Sequence, residues 1–276
     1  MHVRNMRTKI SSLYTPWNLL ILIILLIAFI LRIYKIEVLL DFHYDQGRDA
    51  KIIWDLWHNG KFFLIGPTTG LDGVFLGPFY YYLIAPFYLI GMGNPVMPSL
   101  FLSFLTVVAL YVLYLVGVEI GGKVTGFVAL VVGTFSNHII FSNRWLSNPT
   151  PIYLTSVLIF YMMIKIIKNI TPRRCDVFWY LIYLLTGLSL QFELASAVFY
   201  LPILFIFTIW RKPNLKIFLI SGFLLGLTFI PQLIFNFKHD NILINNILAQ
   251  VDNSNYVKLD IFVRLKNIWK IIVEIF

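Results

Sequence analysis

Residues 17–34 read Trp17-Asn-Leu-Leu-Ile-Leu-Ile-Ile-Leu-Leu-Ile-Ala-Phe-Ile-Leu-Arg32-Ile-Tyr34, an apolar run whose first charge is Arg32. At ~1.5 Å per helical residue it covers roughly the ~30 Å hydrocarbon core of a bilayer. Arg4, Arg7 and Lys9 precede it, as basic residues precede a secretory signal. The run is long for a signal core, however, and Arg32-Ile-Tyr-Lys-Ile-Glu37 follows where a small-x-small cleavage site would be needed. It reads as an uncleaved first span, with Arg32 and Lys35 able to snorkel at its outer end.

Six more apolar segments run from Met97 to Val118, Val124 to Phe141, Ile152 to Ile167, Val177 to Leu190, Ala195 to Trp210 and Ile217 to Phe235, so seven spans are predicted. A chain that is 59% hydrophobic and 13% charged has too little polar surface to cover a water-soluble fold. The formal net charge of +9 does not point to nucleic acid, because the basic residues form short clusters between apolar runs rather than one polar face. Cys175 is the only cysteine, which excludes an intrachain disulfide, a CxxC redox pair and a thiolate zinc site. His43, His58, His138 and His239 show no metal-ligand spacing. A divalent cation is compatible with the acidic residues but required by no motif, and no cofactor is indicated.

The segment from Pro78 to Met92 is also apolar, but short, aromatic and bracketed by Gly-Pro and Gly-Asn-Pro. Charge decides its status. If it does not cross, Lys123, the group Lys165, Lys168, Arg173 and Arg174, and the group Arg211, Lys212 and Lys216 all share the cytoplasmic side with the N-terminus. If it crosses, both larger groups fall outside. An interfacial or re-entrant helix is therefore expected there. The predicted fold is all-α: one polytopic transmembrane helical bundle over residues 1–276 in the cell membrane, with a first extracytoplasmic loop over 36–96 that carries interfacial helices. That loop holds Glu37, Asp41, Asp45, Asp49, Asp55 and Asp72, six of the 13 acidic residues, and so directs attention to the outer face.

His43-Tyr44-Asp45-Gln46-Gly47-Arg48-Asp49-Ala50 opens an amphipathic stretch in which Ile52, Ile53, Leu56 and Trp57 can face the membrane. A helix beginning near Asp45 would let Asp45 cap it and set Asp45 and Asp49 on one face. A carboxylate there can deprotonate an acceptor hydroxyl or amine, or ligate a divalent cation, with its pKa answering to neighbours such as Arg48. Capping and a local salt bridge are the simpler roles for the same residues. Gly66-Pro67-Thr68-Thr69-Gly70 and Gly77-Pro78-Phe79-Tyr80-Tyr81-Tyr82 fix turns around a loop. Their tyrosines suit an aromatic belt, or a docking surface for an isoprenoid-type chain whose phosphate approaches backbone N–H groups.

Asn143-Arg144-Trp145-Leu146-Ser147-Asn148-Pro149 sets an arginine between two apolar helices, where it is costly unless paired. A lipid phosphate matches its fork, while snorkelling or an acidic partner from the first loop is the plainer alternative. Glu193 lies at the edge of two apolar helices, and Lys238-His239-Asp240 follows the last span. Asn169-Ile170-Thr171 matches a glycan-acceptor pattern but falls in a basic cytoplasmic loop, where it is read as chance.

Together these features resemble the membrane-embedded GT-C glycosyltransferases, especially the bacterial and archaeal relatives of protein O-mannosyltransferases and aminoarabinose transferases. The resemblance covers most of the chain and rests on the first span, Tyr44 to Ala50, Gly77 to Leu83, Arg144 to Pro149 and Pro231 to His239. It implies transfer of a sugar from a polyprenyl-phosphate donor to a glycan, lipid or protein acceptor at the outer face, among membrane lipids and without nucleic acid. The implied catalytic residues are Asp45, as base or acceptor-orienting group, and Asp49. The implied substrate-binding residues are Gln46, Arg48, Tyr81, Arg144, Asn148, Glu193, Lys238 and His239, with Arg144 and Lys238 as cations near the leaving phosphate. Gln46 departs from the family's Asp-Glu pair at the second position, where Asp49 would compensate.

That family usually has more helices and further C-terminal regions, so the natural chain is expected to continue beyond the extracytoplasmic segment 237–276. Ile261 to Phe276 alternates apolar residues with Arg264, Lys266, Lys270 and Glu274, as an interfacial helix would. Two other classes compete. A transporter or lipid flippase would line a path with charges near the midplane, whereas here the polar residues gather outside. A noncatalytic lipid-binding fragment of the same family is the other.

Overall fold

The computed structural model describes residues 16–40, 42–168 and 172–252, together with Lys266, Trp269 and Lys270. The basic N-terminal cluster, Asp41, the Asn169-Ile170-Thr171 pattern and most of the stretch from Ile261 to Phe276 lie outside the described residues. Among the described residues the regular structure is helical, with one isolated antiparallel bridge between Thr68 and Phe75.

Helix α1 (Pro16–Ile33) is the first apolar run. A short α2 (Ile36–Leu39) leads to the amphipathic α3 (Tyr44–Asn59) and the apolar α4 (Phe79–Ile90). Then come α5 (Val96–Phe135), α6 (Asn137–Arg144), α7 (Ile152–Ile167), α8 (Pro172–Phe192), α9 (Leu194–Ala197) and α10 (Tyr200–Arg211). The described chain closes with α11 (Leu215–Leu227), α12 (Ile230–Lys238) and α13 (Ile242–Asp252).

All seven predicted apolar segments fall on helices, though not as seven uninterrupted spans. Among the described residues four helices are long and apolar enough to cross a membrane, or five if α11 and α12, bent by 50°, form one span. The segment expected to span from Ile217 to Phe235 is thus a helix pair bent at the break between α11 and α12. Pro231 opens α12 without an N–H to carry the ladder across the bend. At 16 residues, α7 is apolar but short.

The 40 residues of α5 hold one predicted segment and most of the next because the helix doubles back. Gly121 and Gly122 leave helical geometry, the second at φ 85°, where a side chain would be strained. The two legs then meet through glycines. A Cβ on Gly117 would stand 2.6 Å from Cα of Gly126, and one on Gly126 only 2.5 Å from the carbonyl of Tyr114. Small residues permit this approach where helices have no hydrophobic drive to associate. Hydroxyl pairs join other helices, Thr155 to Ser189 at 2.7 Å and Tyr183 to Thr208 at 2.9 Å.

The outer sides are apolar, with Ile30, Phe205 and Phe223 more than half exposed. Polar groups separate to the two ends of the bundle. At one end Glu119, beside the turn of α5, pairs with Lys165 at 2.6 Å and Lys168 at 3.2 Å, and Arg211 donates to the carbonyl of Ile166. At the other end lie α3, α4 and the 66–77 loop. The 12 residues of α4 reach about 18 Å, less than a ~30 Å hydrocarbon core, as expected of a helix that does not cross. Its Tyr80, Tyr81, Ile84 and Tyr88 are buried in one cluster with Ile53, Leu102, Leu146 and Phe192.

Two arginines clasp α1 to the break between α5 and α6. Arg32, fully buried, donates to the carbonyl of Ala28 at 2.9 Å and to that of Gly133 at 3.2 Å. Gly133 belongs to the last turn of α5, just before the break at Ser136, where carbonyls lack helical partners. Arg144, ending α6, donates in return to the carbonyl of Leu31 in the last turn of α1. Cations suit that end of a helix.

The glycine contact between the legs of α5 is testable by adding volume. Gly126→Val should lower the thermal unfolding temperature in detergent, at an overpacking cost of about 1–3 kcal/mol. Gly222→Ala, where nothing lies within 4 Å of the added atom, should leave it nearly unchanged. Equal unfolding temperatures for the two variants would contradict the hairpin.

Candidate functional site at the polar end

Helix α3 starts one residue earlier than the sequence suggested. His43 takes the N-cap position, and Gln46 turns its Oε1 back to accept from the His43 N–H at 2.9 Å, half of a capping box. The expectation that Asp45 caps this helix is therefore corrected. Asp45 sits in the first turn, where a negative charge still suits the helix N-terminus, and its side chain is 63% exposed. Gln46 is buried, with its side chain oxygen engaged by its own helix.

Arg48 organises the neighbourhood. Its Nε and Nη2 donate to Asp49 Oδ1 at 3.0 and 2.8 Å, while Nη1 donates to Asp45 Oδ1 at 2.9 Å and to Thr68 Oγ1 at 3.0 Å. The Tyr81 hydroxyl donates to the same Asp49 oxygen at 3.0 Å. Four predicted residues, Asp45, Arg48, Asp49 and Tyr81, thus form one network joining α3, α4 and the 66–77 loop. Burial pushes the Asp49 carboxyl above the usual carboxylate range, although Arg48 and Tyr81 pull the other way. Burial also works against the Arg48 charge, but Asp49 and Asp45 outweigh it and hold the guanidinium firmly protonated. Burial, with Asp49 beside it, keeps the Tyr81 hydroxyl well above its ordinary value, so it stays a donor.

Two clefts of about 440 Å³ each flank the 66–77 loop and share Thr68. Arg48, Asp55, Lys61, Tyr81 and His239 line the first, and Asn148 and Glu193 line the second. Asp45 and Asp49 line neither and reach the first cleft through Arg48. The His239 ring stacks on Phe235 at 4.1 Å between centroids, and its Nδ1 donates to the Phe235 carbonyl at 2.8 Å. Asn148 donates to the carbonyl of Phe192 at 2.6 Å, tying the turn after α6 to the end of α8. Glu193 caps α9 through the N–H groups of Ala195 and Ser196. Burial would raise its carboxyl, but bonds from Ser196 and Ala195 prevail and hold it below the usual range. Arg144, clasped to α1, and the exposed Lys238 line neither cleft.

The loop between the clefts is held by residues that sequence reading passed over. Gln191, buried at the end of α8, donates to Gln232 Oε1, and Gln232 donates to the carbonyl of Phe75 at 3.0 Å. Asn246 donates to the carbonyl of Gly73 at 2.9 Å. A Cβ on Gly77 would overlap the end of the Gln191 side chain, so any larger residue there would displace that amide. The amides of Gly66 and Thr69 donate to the carbonyls of Leu76 and Val74, which closes the loop on itself rather than leaving those two groups open to a phosphate. Lys61 also went unnoticed, although Asn59-Gly60 signals the end of α3 and so places the next cation beside it. Gly60 has φ 62°, the left-handed turn that ends many helices.

Among the described residues no group of three His, Cys, Asp or Glu side chains could hold a metal ion. The raised pKa of Asp49 predicts a pH signature. Stability from its protonated form is present below the unfolded carboxyl pKa and is lost as pH rises through the higher folded value. Asp49→Asn should flatten that decline in thermal denaturation followed from about pH 4 to about pH 7. An unchanged slope would exclude Asp49 as its source. No protein-family model matches the chain, and neither does any curated protein or solved structure compared with it.

Proposed function

We propose that this chain is a glycosyltransferase of the GT-C type that moves a sugar from a polyprenyl-phosphate donor to an acceptor at the extracytoplasmic face of the cell membrane. The observation that carries the reading is the Asp45–Arg48–Asp49–Tyr81 network, seated on a helix too polar to cross and opening beside two clefts that share Thr68. Two clefts suit two substrates. The first, with Arg48, Lys61 and His239, suits a phosphate, and the second gives an acceptor access to the junction at Thr68.

In the proposed step the acceptor oxygen or nitrogen attacks the anomeric carbon and forms the new glycosidic bond. The bond from that carbon to the donor phosphate oxygen breaks, and its electron pair leaves with the phosphate. Asp45, the exposed carboxylate of the network, takes the acceptor proton. Asp49 is a positioning residue that fixes Arg48 and Tyr81 through its Oδ1. Arg48 and Lys61 stabilise the leaving charge. Arg144 instead serves the clasp with α1, and Lys238 stands outside both clefts.

The reading is tested by transfer of radiolabelled sugar from a panel of polyprenyl-phosphate sugars in membranes holding the wild-type chain or Asp45→Asn. Loss of transfer by about a hundredfold or more is expected for the variant, the scale of general-base catalysis. Undiminished turnover would remove Asp45 from the mechanism. The proposed orientation has its own test. Asp72→Cys and Asn148→Cys, each in a Cys175→Ala background, should both react with an impermeant thiol reagent added outside intact cells, while Lys123→Cys should not. The opposite pattern would invert the topology.

A further inference from the structure

A further cleft takes no part in the network around Arg48. It has a volume of about 650 Å³ and lies between α3 and α4, with Lys51, Trp54, Trp57 and His58 on one wall and Tyr88, Leu89 and Met92 on the other. Trp57 anchors the two walls by donating to the carbonyl of Ala85 at 3.3 Å. The Trp54 and His58 rings stack at 3.5 Å between centroids, and His58 Nδ1 donates to the Trp54 carbonyl. This wall is therefore a fixed aromatic surface.

Two features of the cleft call for an amphiphile. Its rim is apolar and uncovered: Trp54, Leu89 and Met92 are 54%, 53% and 95% exposed. Met92 adopts φ 50°, a conformation unusual for any residue but glycine, in the turn at the end of α4. The second feature is charge. Among the described residues Lys51 makes no hydrogen bond or ion pair and no carboxylate lines the cleft, while nearby Asp55 is occupied by Asn59 and Lys61.

We propose that the α3–α4 cleft seats an anionic phospholipid of the surrounding bilayer, its phosphate against Lys51 and its chains along Trp54, Trp57 and Leu89. The site is independent of sugar transfer. It lies on the face of α3 opposite Arg48 and shares no lining residue with the first cleft. A zwitterionic lipid carries the same phosphate but brings its own cation, so the unpaired Lys51 selects the anionic headgroup. The open apolar rim selects a ligand that arrives laterally from the membrane.

The test uses the full chain, delipidated in a neutral detergent and titrated with phosphatidylglycerol or phosphatidylcholine of matched acyl chains, with bound lipid counted by native mass spectrometry. The wild type should prefer phosphatidylglycerol roughly fivefold, the scale of one lysine at an anionic surface. Lys51→Gln should erase the preference. Lys212→Gln, at the far end of the bundle, should leave it intact. Fluorescence quenching by brominated phosphatidylglycerol should fall in Trp54→Phe/Trp57→Phe relative to the wild type, which locates the lipid. Equal retention of the two lipids, or an undiminished preference in Lys51→Gln, would overturn the proposal. Displacement of phosphatidylglycerol by an equal concentration of polyprenyl monophosphate would also overturn it, in favour of a carrier-lipid site.

Discussion

A helix that breaks inside an apolar bundle exposes carbonyls that lipid cannot satisfy, so a donor must come from the protein. Two arginines meet that need. Arg32 reaches from α1 to Gly133 beside the break at Ser136, and Arg144 reaches from α6 to Leu31 at the end of α1. The first helix thus supplies a donor at the end of α5, and α6 supplies one at the end of the first helix. The third predicted segment can then bend without losing its place, and its continuation delivers the Trp145–Thr150 turn to the polar end. From there Asn148 engages Phe192 and helps to wall the second cleft.

The polar end repeats the strategy on a smaller scale. Arg48 draws acceptors from one helix turn and from a loop twenty residues away. Asp49 accepts from both Arg48 and Tyr81 on a single oxygen. Because that carboxyl is buried, its partners are held more rigidly than surface ion pairs would be. Asp45 contributes the exposed charge of the same network. The pair therefore divides the work that two equivalent carboxylates would share, one fixing geometry and the other facing solvent.

Much of this was legible in the sequence. Long apolar runs declare themselves, and the distribution of lysine and arginine separated Pro78–Met92 from the other apolar segments. Asp45, Arg48 and Asp49 were readable as a group because a helix sets such spacings side by side. The doubling of α5 was present as Gly121-Gly122, and a gap between segments was drawn there, but the close contact of Gly117 with Gly126 needed coordinates. The start of α3 was missed by one residue, since Gln46 signals a capping box only when His43 is accepted as the cap. Arg144 shows the limit most clearly. Its cost in an apolar setting was evident, but the partner that relieves it is a backbone carbonyl, which carries no sequence signature. Gln191, Gln232 and Asn246 were invisible for the same reason: each bonds across more than forty residues, and an amide side chain in an apolar helix announces no particular partner.

The chain of amides from Gln191 through Gln232 to the Phe75 carbonyl has a direction. Each side chain gives with its nitrogen, and Gln232 receives with its oxygen, so the row is a line of aligned dipoles ending on a backbone acceptor. Such a line specifies atom type as well as shape. A glutamate at position 232 would fill the same volume yet, when ionised, present an oxygen to the Phe75 oxygen, turning attraction into repulsion at the loop that parts the two clefts. The separation of those clefts is therefore encoded by the orientation of two amide groups, a form of information that hydrophobic packing alone could not carry.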